Sequence, residues 1–167
     1  VTTRTHNAGV GILSDAHTAK REEIVDLLTK AYWAEVETVA NYLAASSNLD
    51  GIRAKEIASD LAGDVQEELG HARQFAERIK ELYGTVPGSS EFPAEQTFLQ
   101  PGDDPTDVAT VIRGVITAEA GAIELYNRII EATDGVDWAT QDMVVAILKD
   151  EEGHMRTYER YLREYED

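Results

Sequence analysis

The sequence predicts an all-α fold, a four-helix bundle with one long crossover between its second and third helices. Three observations predict it. Four long segments, roughly 16–46, 52–83, 105–132 and 138–165, repeat their apolar residues with helical period. The connections between them run short, long, short, the pattern of a bundle with a single crossover. No stretch of useful length alternates with the period of a strand.

Residues 1–15 are rich in Thr, Gly and Asn without clear periodicity and are expected to form an N-terminal arm. Residues 16–167 are expected to form one domain, in keeping with a length of 167 residues. In the first helix Ile24, Leu28, Ala31, Tyr32, Val39 and Tyr42 share a face, and Ser46–Gly51 is a turn cluster. The second carries Ile57, Leu61, Val65, Ala72, Phe75, Ile79 and Leu82 on one stripe.

The crossover Gly84–Asp104 has about 21 residues and three of the four prolines. Fully extended it reaches about 70 Å, enough to return the chain along helices of about 42–48 Å. Phe92, Phe98 and Leu99 are expected to be exposed on it as an interface patch. Asp104-Pro105-Thr106-Asp107 reads as the start of the third helix, with Asp104 as N-cap and Pro105 at the first helical position. That helix presents Val108, Ile112, Val115, Ile116, Ile123, Tyr126 and Ile130. After the turn Thr133–Asp137 the fourth presents Val144, Ile147, Leu148, Met155, Tyr158 and Leu162. Trp33 and Trp138 read as packing or interface residues, and His6 and His17 are assigned no role.

Composition narrows the function. Lys and Arg total 15 against 32 Asp and Glu, a net charge of −17. Such a chain has little with which to neutralise phosphates, which argues against nucleic acid and against an anionic membrane surface as partners. The absence of cysteine removes disulfides, thiolate metal sites and a thiol nucleophile. No apolar run approaches the ~18 residues of a membrane span. A cytoplasmic location is expected.

The chemistry lies in carboxylates placed on the apolar faces. On a wheel of about 100° per residue, Glu35 sits among the apolar residues of the first helix, whereas Glu37 lies about 160° away on the expected solvent side. Glu68 and His71 lie in the stripe of the second helix, Glu119 in that of the third, Glu151 and His154 in that of the fourth. Four unpaired carboxylates in one core would cost several kcal/mol each. The inward positions supply no Lys or Arg, only two histidines. Two divalent cations would cancel the four charges, and the histidines would complete the coordination. Each histidine follows an inward Glu by three residues, in Glu68-Leu69-Gly70-His71 and Glu151-Glu152-Gly153-His154, a spacing that puts both side chains on one helix face. The pattern repeats: Tyr follows Glu by seven in Glu35–Tyr42 and in Glu119–Tyr126, as though two copies of one hairpin were related by a pseudo-two-fold axis. The bland alternative, a bundle whose inward Glu and His merely pair, leaves four carboxylates facing two imidazoles. Glu67 and Asp150, just before the motif glutamates, are placed to accept from the histidine of the opposite hairpin. Tyr42 and Tyr126 read as core aromatics, with an electron-donor or site-gating role as the alternative.

With these residues the sequence resembles the ferritin-like di-iron carboxylate superfamily, whose site takes one Glu from each of two helices and a Glu-x-x-His from each of the other two. Within it the chain looks most like bacterioferritin and the bacterioferritin-like, Dps-type miniferritins, and the stretch Glu35–Tyr42 is similar to the bacterioferritin first-helix signature. The resemblance implies a ferritin-like bundle and two iron ions per subunit held by Glu35, Glu68, His71, Glu119, Glu151 and His154, which would also be the catalytic residues. Two of the four carboxylates would bridge, without the sequence saying which. Mn or Zn would satisfy much the same ligands. Leu69 stands where bacterioferritin carries its haem-ligating Met, so no haem is expected.

The implied activity is that of a ferroxidase oxidising Fe(II) with O2 or H2O2, serving iron storage and detoxification. The alternatives are a di-iron oxidase, oxygenase or peroxide scavenger without mineral storage, and a non-enzymatic helical interaction module. The acidic surface reads equally as a guide for Fe(II) through pores and as an adaptation for solubility or salt. Storage needs a cavity that one bundle lacks, so self-association is expected. With no fifth helical segment after Tyr165, a dodecameric cage is favoured over a 24-subunit one, and a dimer is the runner-up.

Overall fold

The computed structural model describes residues 9–165. It consists of four helices, α1 (Thr18–Asn48), α2 (Lys55–Glu81), α3 (Val108–Thr133) and α4 (Trp138–Leu162), with no strand among the described residues. α1 pairs with α2 and α3 with α4 as two hairpins, which meet chiefly through α1 and α3. At 1.5 Å per residue, the 31 residues of α1 span about 46 Å. No helix is long and apolar enough to cross a membrane among the described residues.

Three of the helix ends have a clear local cause. Asp137 caps α4, accepting from the Thr140 N–H at 3.1 Å, and the Arg78 guanidinium of α2 donates to the same carboxylate at 2.8 Å. α2 ends with Tyr83 at φ 65 and the Gly84 N–H donating to the Ile79 carbonyl, a left-handed cap that closes the last turn. α3 begins later than the sequence suggests. Its cap is Asp107, which accepts from the Thr110 N–H at 3.1 Å, whereas Asp104 accepts from the N–H and hydroxyl of Thr106. Asp104 thus closes an Asx-type turn on the chain two residues ahead, and helical geometry starts only after Asp107.

Ahead of α1, residues 11–13 and 15–17 form two 3-10 turns that carry Ile12 into the core. Arg21 fastens them by donating to the carbonyls of Ile12 and Ser14 at 2.8 and 2.9 Å. His17 Nδ1 lies 3.0 Å from the Ser14 hydroxyl. The rest of the expected arm, residues 1–8 with His6, lies outside the described residues.

The crossover is an ordered layer, and it corrects two expectations. Glu37 does not face solvent: it is buried, and its carboxylate accepts from the backbone N–H groups of Glu95 and Gln96 at 2.7 to 3.0 Å. Gln96 in turn donates to Thr38 and accepts from Asn41. Leu99 is not exposed either but 4 % accessible, packed with the apolar residues of α1, α2 and α3. Phe92 is partly buried with its ring against Trp33, and of the expected patch only Phe98 is exposed. The crossover presses so closely on α3 that a Cβ on Gly114 would lie 2.7 Å from the Phe98 carbonyl oxygen. Trp138 projects at the surface.

The apolar core falls into two clusters. One gathers Ile24, Leu28, Phe75, Ile79, Ile129 and Val144 with their neighbours, and the other Tyr42, Ile57, Leu61, Leu99, Ile112 and Tyr158. Every acidic residue expected to point inward lies in the polar layer between them.

Candidate metal centre

Each helix delivers its share of this layer from mid-length, where the backbone is fully hydrogen-bonded and rigid. Glu35 comes from α1, Glu68 and His71 from α2, Glu119 from α3, Glu151 and His154 from α4. The four carboxylates are 1 to 2 % exposed. All six side chains named from the sequence converge.

They form two overlapping groups, each with ligand atoms within 4.8 Å of one another and each able to hold a metal ion. One is Glu35, Glu68, His71 and Glu151, the other Glu68, Glu119, Glu151 and His154. Glu68 and Glu151 belong to both; Glu35 with His71 and Glu119 with His154 belong to one each. The Nδ1 atom of each imidazole faces inward. That of His71 lies 3.2 Å from Glu68 and 2.9 Å from Glu151, and that of His154 lies 3.3 Å from Glu68 and 3.6 Å from Glu151. The Nε2 atoms face outward, His154 to Glu67 at 3.0 Å and His71 to Asp150 at 3.6 Å. Glu67 and Asp150 therefore stand beside the histidine of the opposite hairpin, as their sequence positions suggested, and such outer partners fix the orientation of a ring.

The phenols cross in the same way. Tyr42 of the first hairpin donates to Glu119 and Tyr126 of the second to Glu35. These contacts occupy one oxygen of each unshared carboxylate. By contrast, Glu68 Oε1, Glu151 Oε1 and His154 Nδ1 are buried without a hydrogen-bond partner. Glu151 Oε1 is only 2.9 Å from His71 Nδ1, so proximity is not what these atoms lack. All three belong to residues of the two ligand groups. Buried groups of this kind are costly unless something else satisfies them, and an oxygen and imidazole set suits Fe, Mn or Zn.

The proton balance without metal follows from the same crowding. Burial, then the charges of Glu68 and Glu151, push the Glu35 carboxyl well above its ordinary value. Burial and Glu151 do the same to Glu119. For Glu151 burial acts upward as well, but the facing imidazoles of His154 and His71 outweigh it and hold the carboxyl down at about 2. Glu68 is lowered against burial by the same two histidines. The imidazoles mirror this. Burial pulls His71 down, yet Glu151 and Glu68 raise it to about 10, and the same carboxylates raise His154 to about 12. The metal-free core thus balances two imidazolium ions against two shared carboxylates, while Glu35 and Glu119 are driven towards the protonated form.

Comparison with known proteins agrees with this architecture. Residues 25–167 match the family described as the ferritin-like domain. The chain is similar to the DNA protection during starvation protein of Pyrococcus furiosus, 27% identical over 84% of this chain and 77% of that protein. It is similar also to the bacterioferritin of Desulfovibrio desulfuricans, 26% identical over 84% of this chain and 74% of that one. Among solved structures, a bacterioferritin-related dodecameric thioferritin of Bacteroides fragilis superposes with TM-score 0.76 at 23% identity, covering 87% of each chain. A point mutant of the Dps1 protein of Mycobacterium smegmatis superposes with TM-score 0.75 at 20% identity, over 86% of this chain and 97% of that one.

Proposed function

The chain belongs to the ferritin-like family, and on that footing we propose that it is a ferroxidase of iron storage and detoxification, with Glu35, Glu68, His71, Glu119, Glu151 and His154 as its metal ligands and catalytic residues. One observation carries the reading: two ligand groups that share Glu68 and Glu151 in the middle of an apolar core. Two ferrous ions are the substrate, and each gives one electron to O2 or H2O2.

Each residue has a distinct task. Glu68 and Glu151 would be shared by the two ions, because only they belong to both groups. Glu35 and His71 would complete one position, and Glu119 and His154 the other. Glu67 and Asp150 hold the imidazoles with Nδ1 inward. Tyr42 and Tyr126 steady the unshared carboxylates. The apolar clusters on either side exclude water and keep the electrostatic interactions strong.

Storage requires a cavity formed by several copies. We assign the chain to a shell of twelve, the state of the Bacteroides fragilis relative of the same fold. Twelve chains of 18.4 kDa give a particle of about 220 kDa. Sedimentation at the mass of a dimer would leave the ferroxidase standing and remove storage.

The experiment that tests the activity is anaerobic addition of Fe(II) followed by O2 or H2O2. Ferric absorbance rising above the buffer rate, and falling back to it in Glu68→Ala protein, is the expected result. Oxidation at the buffer rate in the unaltered protein would overturn the proposal.

A further inference from the structure

On the seam between α2 and α4, one row of side chains is not used by the reading above. Tyr158 follows His154 by one turn and is 1 % exposed. Its phenol donates to Asp64 at 2.6 Å. One turn further along α4, Tyr161 donates to Asp60 at 2.5 Å. The two rings meet edge to face with centroids 5.8 Å apart. Tyr161 is only partly buried, whereas Tyr158 packs in the same apolar cluster as Tyr42. Asp60, Asp64, Glu67, His154 and Tyr158 line a groove of about 270 Å³ open to solvent. The row runs outward from the candidate metal centre, and each phenol has its own carboxylate within direct proton-transfer distance.

We propose that Tyr158–Asp64 and Tyr161–Asp60 form a stepwise relay that supplies single electrons to the metal centre, so that a peroxide arriving when only one ferrous ion is present is still fully reduced. The proposal rests on the ferroxidase reading for its source of oxidant. Reduction of hydrogen peroxide to two waters takes two electrons and two protons. The single ferrous ion gives one electron and Tyr158 the other, and two protons come from solvent. As Tyr158 loses its electron, its phenolic proton passes to Asp64, leaving a neutral phenoxyl radical beside a neutral carboxylic acid. Burial makes the Asp64 carboxyl a stronger base than an ordinary aspartate. Tyr161 then reduces Tyr158. The Asp64 proton returns to the Tyr158 oxygen, and the Tyr161 proton passes to Asp60. The radical thus ends at a partly exposed ring, where a one-electron reductant in solution restores the phenol.

A purely structural role for these tyrosines would tie α2 to α4 and do nothing else, and the test separates the two. Protein loaded with one Fe(II) per chain is treated with hydrogen peroxide and a nitroso spin trap, and the adducts are mapped by peptide mass spectrometry. The expected result is an adduct on Tyr161 that is lost in Tyr158→Phe. It is also lost in Asp60→Asn, which keeps the shape of the carboxylate and removes the base. An undiminished adduct in either variant would overturn the relay, as would no tyrosine adduct in unaltered protein that oxidises iron normally.

A second arm needs no iron. Metal-free protein is exposed to a photogenerated ruthenium polypyridyl oxidant too large to enter the core, and radicals are followed by electron paramagnetic resonance. A radical that rests on Tyr161 and is lost in Asp60→Asn supports the relay. A radical that settles on Tyr158 with Tyr161 in place, or none on either ring, overturns it. Failure of iron oxidation with success in this arm would instead condemn the ferroxidase reading.

Discussion

Tyr42 donates its phenol to Glu119, the core carboxylate of the opposite hairpin, and Tyr126 returns the same contact to Glu35. The outer partners of the imidazoles cross as well, Glu67 to His154 and Asp150 to His71. Each half of the bundle therefore orients the ligands of the other.

Removing one crossing phenol should weaken one metal position more than the other. Tyr42→Phe keeps the ring and frees Glu119. The expected outcome is a loss of about 10–100-fold in affinity for Zn(II) or Mn(II) at one of two steps, read by calorimetric titration. An unchanged pair of affinities would show that the phenol steadies nothing.

The shared and unshared carboxylates should differ in stoichiometry. Glu35 enters one group and Glu68 both. Glu35→Ala should retain about one metal ion per chain, and Glu68→Ala should retain none, because its loss strips both positions of a ligand. Metal analysis after desalting checks it. Two ions retained by Glu68→Ala would remove the bridging assignment.

Stability of the metal-free protein should fall as pH rises above neutrality. His71 and His154, at about 10 and about 12 in the folded state, titrate near 6.5 when unfolded. Their contribution is fully present below the unfolded value and is lost as pH rises through the folded values. Between these limits the folded state binds more protons, so the slope is negative. Glu35 and Glu119, raised by burial and their neighbours' charges, act with the same sign above the ordinary carboxylate range. Denaturation in chelator should show the midpoint declining from about pH 6 to about pH 9. A rising midpoint would mean that the imidazolium pairs contribute nothing.

Close approach of the crossover to α3 gives a fourth test. In Gly114→Ala the new methyl meets the Phe98 carbonyl and Leu99. Overpacking of this kind costs about 1–3 kcal/mol, seen as a lower melting temperature. Gly121→Ala, on the same helix with open space around it, serves as the control.

Much of this was legible in the sequence. The helical period places Glu35, Glu68, His71, Glu119, Glu151 and His154 in one core, and the turn chemistry places the helix ends within a few residues. Glu37 and Leu99 were misread for one shared reason. A helical wheel knows only the face that meets the other three helices, and the crossover adds a further layer with its own buried side. Asp104 reads as the cap because it precedes Pro105, yet the path of the chain through Pro105 gives that place to Asp107. Which carboxylates are shared, and which imidazole nitrogen faces inward, depends on axial stagger and side-chain rotation, neither of which has a period to reveal it.

The grip of Glu37 on the backbone of Glu95 and Gln96 also divides the crossover for anyone wishing to alter it. The stretch around Ser89 and Ser90 lies exposed on the near side of that grip, so a guest peptide inserted there only lengthens slack chain. Added residues between Gln96 and Leu99 would separate the anchored backbone from the side chain that plugs the core and withdraw Leu99 from beneath it. A fluorescent tag or affinity handle therefore belongs before the anchor.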